Sequence, residues 1–597
     1  MTGDQTVPDL ISTARHRATP GPNYRWIALF ISTLGMLMAT IDSSIVLIAL
    51  PDIFRGIGID PLQPGNSFYL LWMILGFLVV TSALVVTLGR LGDMYGRVRI
   101  YNLGFAIYTV FSLLLTVTWM SGHAAAIWLI TMRLGQGVGA AMLLANSGAI
   151  LTDAFPEHQR GMAFGINQAA AFSGAFIGLI LGGVLAPINW RYIFLVSVPI
   201  GLFATVFGYL ALRELGTRRH TTIDWPGNVT FVAGIVLLMG GITYGIEPYG
   251  HRTMGWTNPE VYGSVLLGIG FLVLFGFIER RSPSPMFHLT LFKIRAFTAG
   301  VIASFLAALS RGGLMFMLVI WLQGIWLPLH GYSFTQTPLW AGLAMIPLTL
   351  GLLIAGPTSG ILSDRFGVRP FATGGMLGTA ACFALLELLP IDFPYWAFGS
   401  LLFITGLFMA SFGSPNRTGV MNSVPAEDRG AGSGMNTTFQ NSAQIFSIGI
   451  FFTLMIIGLS TSLGANLTQG LEAHGVPATA AEHAGHLPPV STLFAAFLGY
   501  DPIAHLIGAG TLAHLSPSDQ ATLTGTRYFP SLISSAFRDG LHLALDFAIL
   551  MSLAAAAASW TRGTSSEEGA AEPPSSLINQ SGDEDDEAME DVPDLLL

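Results

Sequence analysis

Apolar residues fall along this chain in long unbroken runs, separated by short polar stretches. About fourteen runs reach the ~20 residues that a helix needs to cross a bilayer. They lie near 25–51, 68–88, 100–120, 125–151, 161–186, 192–212, 228–247, 261–279, 297–326, 339–361, 371–390, 396–416, 435–461 and 539–560. The pattern predicts an all-α integral membrane protein. A polar segment, 1–24, with Pro8, Pro20 and Pro22, precedes the first run, which is long enough to be an uncleaved span. One long loop, 462–537, separates the last two runs. Its apolar stretches Val490–Leu498 and Ile503–Leu515 are expected to form small helices lying on the membrane face. The terminal segment, 562–597, is too polar to bury a core and is expected to be a disordered acidic tail.

Composition strengthens this reading. Charged residues make up 10% of the 597 positions, against about 25% in soluble proteins. The net charge of −9 comes from the tail, where Asp583, Glu584, Asp585, Asp586 and Glu587 are consecutive. Elsewhere the arginines alternate in sidedness. Segments assigned to the inner face hold most of them, while the outer loops hold only Arg55, Arg191, Arg252, Arg527 and Arg538. This excess puts both termini in the cytoplasm. The single cysteine, Cys382, excludes an intramolecular disulfide. His483 and His486 have a helical metal-ligand spacing, but without a nearby cysteine or acid cluster no metal site is expected. No nucleophile–base set appears, so the chain does not read as an enzyme, and neither a cofactor nor a nucleic-acid partner is implied.

Two blocks recur. The turn from Leu88 to Arg99 holds Gly89, Asp93, Gly96 and Arg97; at one constant offset Gly360, Asp364 and Gly367 repeat its pattern, with Val368 in place of Arg97. Pro156, Arg160, Gly161, Gly165 and Asn167 likewise match Pro425, Arg429, Gly430, Gly434 and Asn436. Two blocks repeated in the same order imply two six-helix bundles, 25–215 and 291–561, joined by two inserted helices within 216–290. Such internal duplication is the usual build of a secondary transporter.

The turn G-x-L-x-D-x-x-G-R resembles the loop motif of the major facilitator superfamily, and further segments resemble its fourteen-helix drug:proton antiporters. Ile41–Pro51 is similar to that family's first-helix motif, with Leu47 where the family has Asn. Arg133-Leu134-Gly135-Gln136-Gly137 is similar to its fourth-helix motif. Gly174, Gly178, Gly182 and Gly183 match its antiporter motif, although Leu179 replaces the proline. Trp190-Arg191-Tyr192-Ile193-Phe194 resembles the start of its sixth helix.

An acid inside a span costs about 2.5–3.5 kcal/mol on insertion scales, so it faces a cavity or a partner. Asp42 and Arg133 fall at nearly one depth, and an ion pair is expected. Burial favours the neutral acid while a nearby cation favours the carboxylate; a group under both influences can take up and release a proton. The resemblance thus implies a proton-coupled exporter of amphipathic drugs working by alternating access, with Asp42 and Arg133 coupling protons. Arg311, Gln136, Trp321 and Phe439 would line the substrate cavity. Gly89, Asp93, Gly96, Arg97, Gly360, Asp364 and Gly367 would form a conformational latch, and the four glycines of the fifth helix would pack it tightly. The partners expected are a small-molecule substrate, protons and the lipid bilayer of the cell membrane, with the protein a monomer. A narrow exporter or importer of a metabolite, siderophore or lipid precursor on the same fold is the alternative. A non-transporting membrane receptor is the third reading.

Overall fold

The computed structural model describes residues 23–563, apart from 61, 62, 64, 217–223, 251, 253, 283, 284, 286, 426–428 and 499–502. The expected acidic tail and most of the polar leader lie outside the described residues. The first half is built from α1 (Tyr24–Ile57), α2 (Asn66–Tyr95), α3 (Arg97–Thr116), α4 (Gly122–Ala154), α5 (Glu157–Leu185) and α6 (Tyr192–Ala211). Two inserted helices follow, α7 (Trp225–Ile246) and α8 (Pro259–Arg281), packed on each other. The second half comprises α9 (Arg295–Leu329), α10 (Thr337–Ala344 continuing as Ile346–Phe366), α11 (Val368–Glu387), α12 (Tyr395–Asn422) and α13 (Arg429–Ala473). Four short helices come next: α14 (Ala478–Gly485), α15 (Pro489–Leu498), α16 (Ile503–Ala513) and α17 (Pro517–Leu523). The bundle closes with α18 (Tyr528–Trp560).

Among the described residues, 13 helices are long and apolar enough to cross a membrane. The remaining expected span, near 371–390, is the 20-residue α11. Its glycines and threonines, with Arg369 and Glu387 at its ends, dilute its hydropathy below that of its neighbours. All these helices leave no backbone group to seek water within the bilayer, which is why helices rather than open sheets span it.

The expected loop 462–537 is mostly helical. α13 runs for 45 residues, about 67 Å, twice the ~30 Å hydrocarbon thickness. It and α18 therefore continue past the predicted spans. α15 does not lie on a membrane face as expected. Every one of its residues is buried, and it packs against α1 and α2 of the first half and against α9 and α13 of the second. The Phe497 and Phe316 ring centroids are 5.5 Å apart, and those of Phe494 and Phe452 are 5.3 Å apart. Apart from Ser491 and Thr492 the helix is apolar, and such a helix belongs in a core.

The halves also meet elsewhere. At the end opposite the duplicated turns, α5 lies so close to α10 that a Cβ on Gly183 would sit 2.7 Å from the Leu339 amide nitrogen. Midway, the Ser82 and Ser442 hydroxyls are hydrogen-bonded at 3.0 Å.

Candidate functional site

Arg133 and Gln136 stand three residues apart on α4 and so share a face. That face meets Asp42 of α1. Arg133 Nη1 forms an ion pair with Asp42 Oδ2 and donates to Gln136 Oε1 at 2.9 Å. Gln136 Nε2 donates to Asp42 Oδ1 at 3.1 Å and to Ser112 Oγ of α3 at 2.9 Å. Arg133 Nε reaches the Met73 carbonyl of α2 at 3.3 Å, and its guanidinium carbon lies 4.7 Å from the Phe77 ring centre. Four helices thus converge on one pair. Asp42 and Gln136 are 0% exposed and Arg133 is 1% exposed. An ion pair this dry survives only because its hydrogen-bonding groups find partners. Gln136 was expected on the cavity wall; it is instead part of this sealed cluster.

Other expected cavity residues separate. Arg311 is exposed although it lies deep among protein atoms, the combination that marks the wall of an internal space. Trp321 is not on such a wall. It is 1% exposed, sits in a π-helical stretch of α9 (Trp321–Trp326), donates to the Ile391 carbonyl at 3.2 Å and packs on Phe393 and Phe398. Its indole has a fixed backbone partner in the core and none to offer a ligand. Phe439 is half-buried in an aromatic cluster with Phe287, Phe292 and Phe305.

The duplicated turns share a backbone device. Gly96 ends α2 with φ 113°, and Gly367 ends α10 with φ 84°; side chains resist both conformations. Gly89 lets α2 approach Ala145 of α4, and Gly360 lets α10 approach Ser414 of α12. The first turn carries more. Arg97 Nε donates to Asp93 Oδ1 at 2.8 Å, and its Nη1 donates to both oxygens of Asp153, at the end of α4, at 2.8 Å. Glu214 accepts from the amides of Arg97 at 2.9 Å and of Val98 at 3.1 Å, holding the first turn of α3. These bonds all lie within the first half. Arg90 contacts the Pro285 carbonyl near the end of the insert. The Asp364 side chain lies outside the described residues.

The glycines of α5 divide into two faces. A Cβ on Gly174 would lie 2.8 Å from the Leu37 carbonyl oxygen, one on Gly182 would lie 2.9 Å from that of Ile45, and one on Gly178 would collide with that of Ile41. This stripe lets α5 pack against the backbone of α1 beside Asp42. Gly183 faces α10 instead.

Sequence reasoning missed Asp153, Glu214, Ser112 and the pairing of Arg417 on α12 with Gln168 on α5. Arg417 Nη1 donates to Gln168 Oε1 at 3.0 Å, and its guanidinium stands 5.9 Å from the Phe164 ring centre. An intramembrane arginine was itself a signal, but nothing in the chain named its partner. On α18, His542 Nδ1 lies 3.1 Å from Glu387 Oε1. Asp546 is exposed on the same face as Leu543, Leu550 and Leu553, away from the bundle interior.

The family model of the Major Facilitator Superfamily matches residues 32–448 and 300–562. Over 433 residues the chain is 29% identical to the riboflavin transporter RibZ of Clostridioides difficile, covering 72% of this chain and 87% of that protein. It is 27% identical to the multidrug resistance protein Stp of Mycobacterium tuberculosis, covering 86% and 94% respectively. Its fold is similar to that of a bacterial homologue of the human lysosomal transporter Spinster, solved in an inward-facing, unoccupied conformation. That likeness has a TM-score of 0.53 at 17% identity and covers 91% of this chain and 98% of the other.

Proposed function

Because this chain belongs to the major facilitator superfamily, we propose that it moves amphipathic small molecules out of the cytoplasm in exchange for protons. The observation that carries the reading is the sealed Asp42–Arg133–Gln136 cluster. Among the described residues of the first half it is the one place where an acid and a base meet in the dry interior, and an intramembrane ionisable residue points to a functional role by default. Asp42 takes a proton when the outer side opens; the conformation then changes, and the proton leaves towards the cytoplasm. Arg133 balances the carboxylate while it is charged, and Gln136 holds its second oxygen. The turn at Asp93 and Arg97 steadies the cytoplasmic ends of α2, α3, α4 and α6 as the halves rock.

The protein acts as a monomer in the cytoplasmic membrane with both termini inside. The relative named a multidrug resistance protein supports a drug range. The relative named a riboflavin transporter supports a second reading, in which one metabolite is the substrate. Efflux of a panel of chemically unrelated dyes from proteoliposomes, with and without an imposed pH gradient, tests both. Gradient-driven movement of several dyes supports the first reading, of one metabolite alone the second. Absence of any gradient-driven movement rejects proton-coupled transport.

A further inference from the structure

The sealed cluster leaves open what the substrate itself touches. Along α9, Gly300, Ser304 and Arg311 recur at helical spacing and share one stripe. Asn416 of α12 donates to the Gly300 carbonyl at 3.0 Å and to Ser304 Oγ at 2.7 Å, so this stripe faces α12. The opposite side of α9 is occupied, since Gly312 and Gly313 press on α13 and Ser310 bonds to α18. Arg311 therefore points along the α12 side, about 10 Å deeper than Ser304. Arg417 follows Asn416 and reaches across to the first half. There Phe164, Gln168 and Phe172 repeat every fourth residue on α5, all half-buried. Phe172 approaches Gly356 of α10. The space between α5 and the α9–α12 pair thus has a ladder of two rings on one wall and two arginines on the other.

Among the described residues, neither arginine has a carboxylate within ion-pair distance, and the only partner bonded to Arg417 is a neutral amide. The buried acid of the first half, Asp42, is already engaged with Arg133 and Gln136. Resting on the transport reading above, we infer that this corridor takes molecules with an aromatic body and an anionic group, a carboxylate, phenolate or sulfonate, held by Arg417 near the duplicated turns and by Arg311 deeper in. A low-dielectric space with uncompensated positive charge attracts anions and repels cations. Guanidinium matches an oxyanion with paired donors, while rings on the facing wall take up the flat body.

The test uses the full-length protein in proteoliposomes with fluorescein as anionic probe and ethidium as cationic probe. Fluorescein is expected to move faster than ethidium in the wild type. Arg311→Gln should slow fluorescein about tenfold or more, the loss that removing one charge-assisted hydrogen bond brings, without slowing ethidium. Arg311→Lys should keep most of the rate, which separates loss of charge from a folding defect. Fluorescein binding to the detergent-solubilised protein, read by polarisation, gives a second measure independent of transport. Binding weakened by Arg311→Gln without proton-driven flux supports the anion site and rejects the coupling. Ethidium carried as fast as fluorescein, with selectivity unmoved in Arg311→Gln, overturns the anion site and leaves transport standing. Neither binding nor flux of fluorescein overturns it as well.

Discussion

Gln136 donates to the Asp42 oxygen that Arg133 does not hold, at 3.1 Å, so the carboxylate is gripped at both ends by side chains of one helix face. Removing one partner of such a buried pair strands the other, at a cost of about 3–5 kcal/mol. Arg133→Gln is therefore expected to lower the thermal unfolding midpoint, and the double change Asp42→Asn with Arg133→Gln to recover most of it. Proton-driven efflux should stay lost in both, and Asp42→Asn alone, which strands the Arg133 charge, should still reach the membrane folded but with a lowered midpoint, and lose at least tenfold in efflux. Thermal unfolding and efflux measured on the same preparations decide this. Efflux returning together with stability in the double variant would make the pair structural only.

The two turns differ in what a side chain would meet. Gly96→Ala and Gly367→Ala each force a side chain into a positive-φ, extended-ψ backbone costing roughly 1–3 kcal/mol. A Cβ at Gly96 would also lie 2.6 Å from Glu214 Oε2, whereas nothing lies within 4 Å at Gly367. The first variant should therefore lose more transport than the second, and Asp93→Asn more than Asp364→Asn. Initial efflux rates normalised to protein in the membrane are the measure; the reverse order would argue against the first turn as the dominant one.

Gly178 and Gly183 stand five residues apart on α5 but press on different halves. Gly178→Ala should strike the α1 backbone beside Asp42 and destabilise the first half. Gly183→Ala should strike Leu339 and weaken the contact between halves at the end away from the turns. Cysteine labelling at that end should rise for Gly183→Ala and not for Gly178→Ala. Equal labelling would refute the assignment.

Much of the bundle was legible because its cause is local. Twenty apolar residues in a row have one outcome in a bilayer, and Arg133 with Gln136 at helical spacing announces a shared face. Asp42 was legible because a lone acid in a span needs a partner. What failed depends on distance in the chain. Asp153 and Glu214 are ordinary helix-end acids until folding brings both to Arg97. Trp321 and Arg311 sit on one helix, and apolarity does not tell which of them meets a core and which a cavity. The termini of α13 and α18 were drawn short because serine, threonine and asparagine lower hydropathy without ending a helix.

The segment between α13 and α18 carries its own titration. Hydrogen bonds from Ser516, then His474, hold the Asp519 carboxyl below its usual range. A depressed acid contributes order that is present above its unfolded value and lost as pH falls through its folded one. Protease resistance of the segment 474–523 is therefore expected to be flat from about pH 7 to pH 5 and to fall only below about pH 4. His474→Ala should raise the pH of that loss. A drop already at pH 6 would point to a different tether.

α15 places a further demand on how the protein is made. Its ten residues fill a seat partly walled by α1 and α2, which emerge from the ribosome roughly four hundred residues earlier. The first half must therefore wait in the bilayer with an apolar seat uncovered until the segment has been made and folded into place. Chains interrupted before Pro489 should then be the ones that membrane quality control removes, however well their earlier helices have inserted.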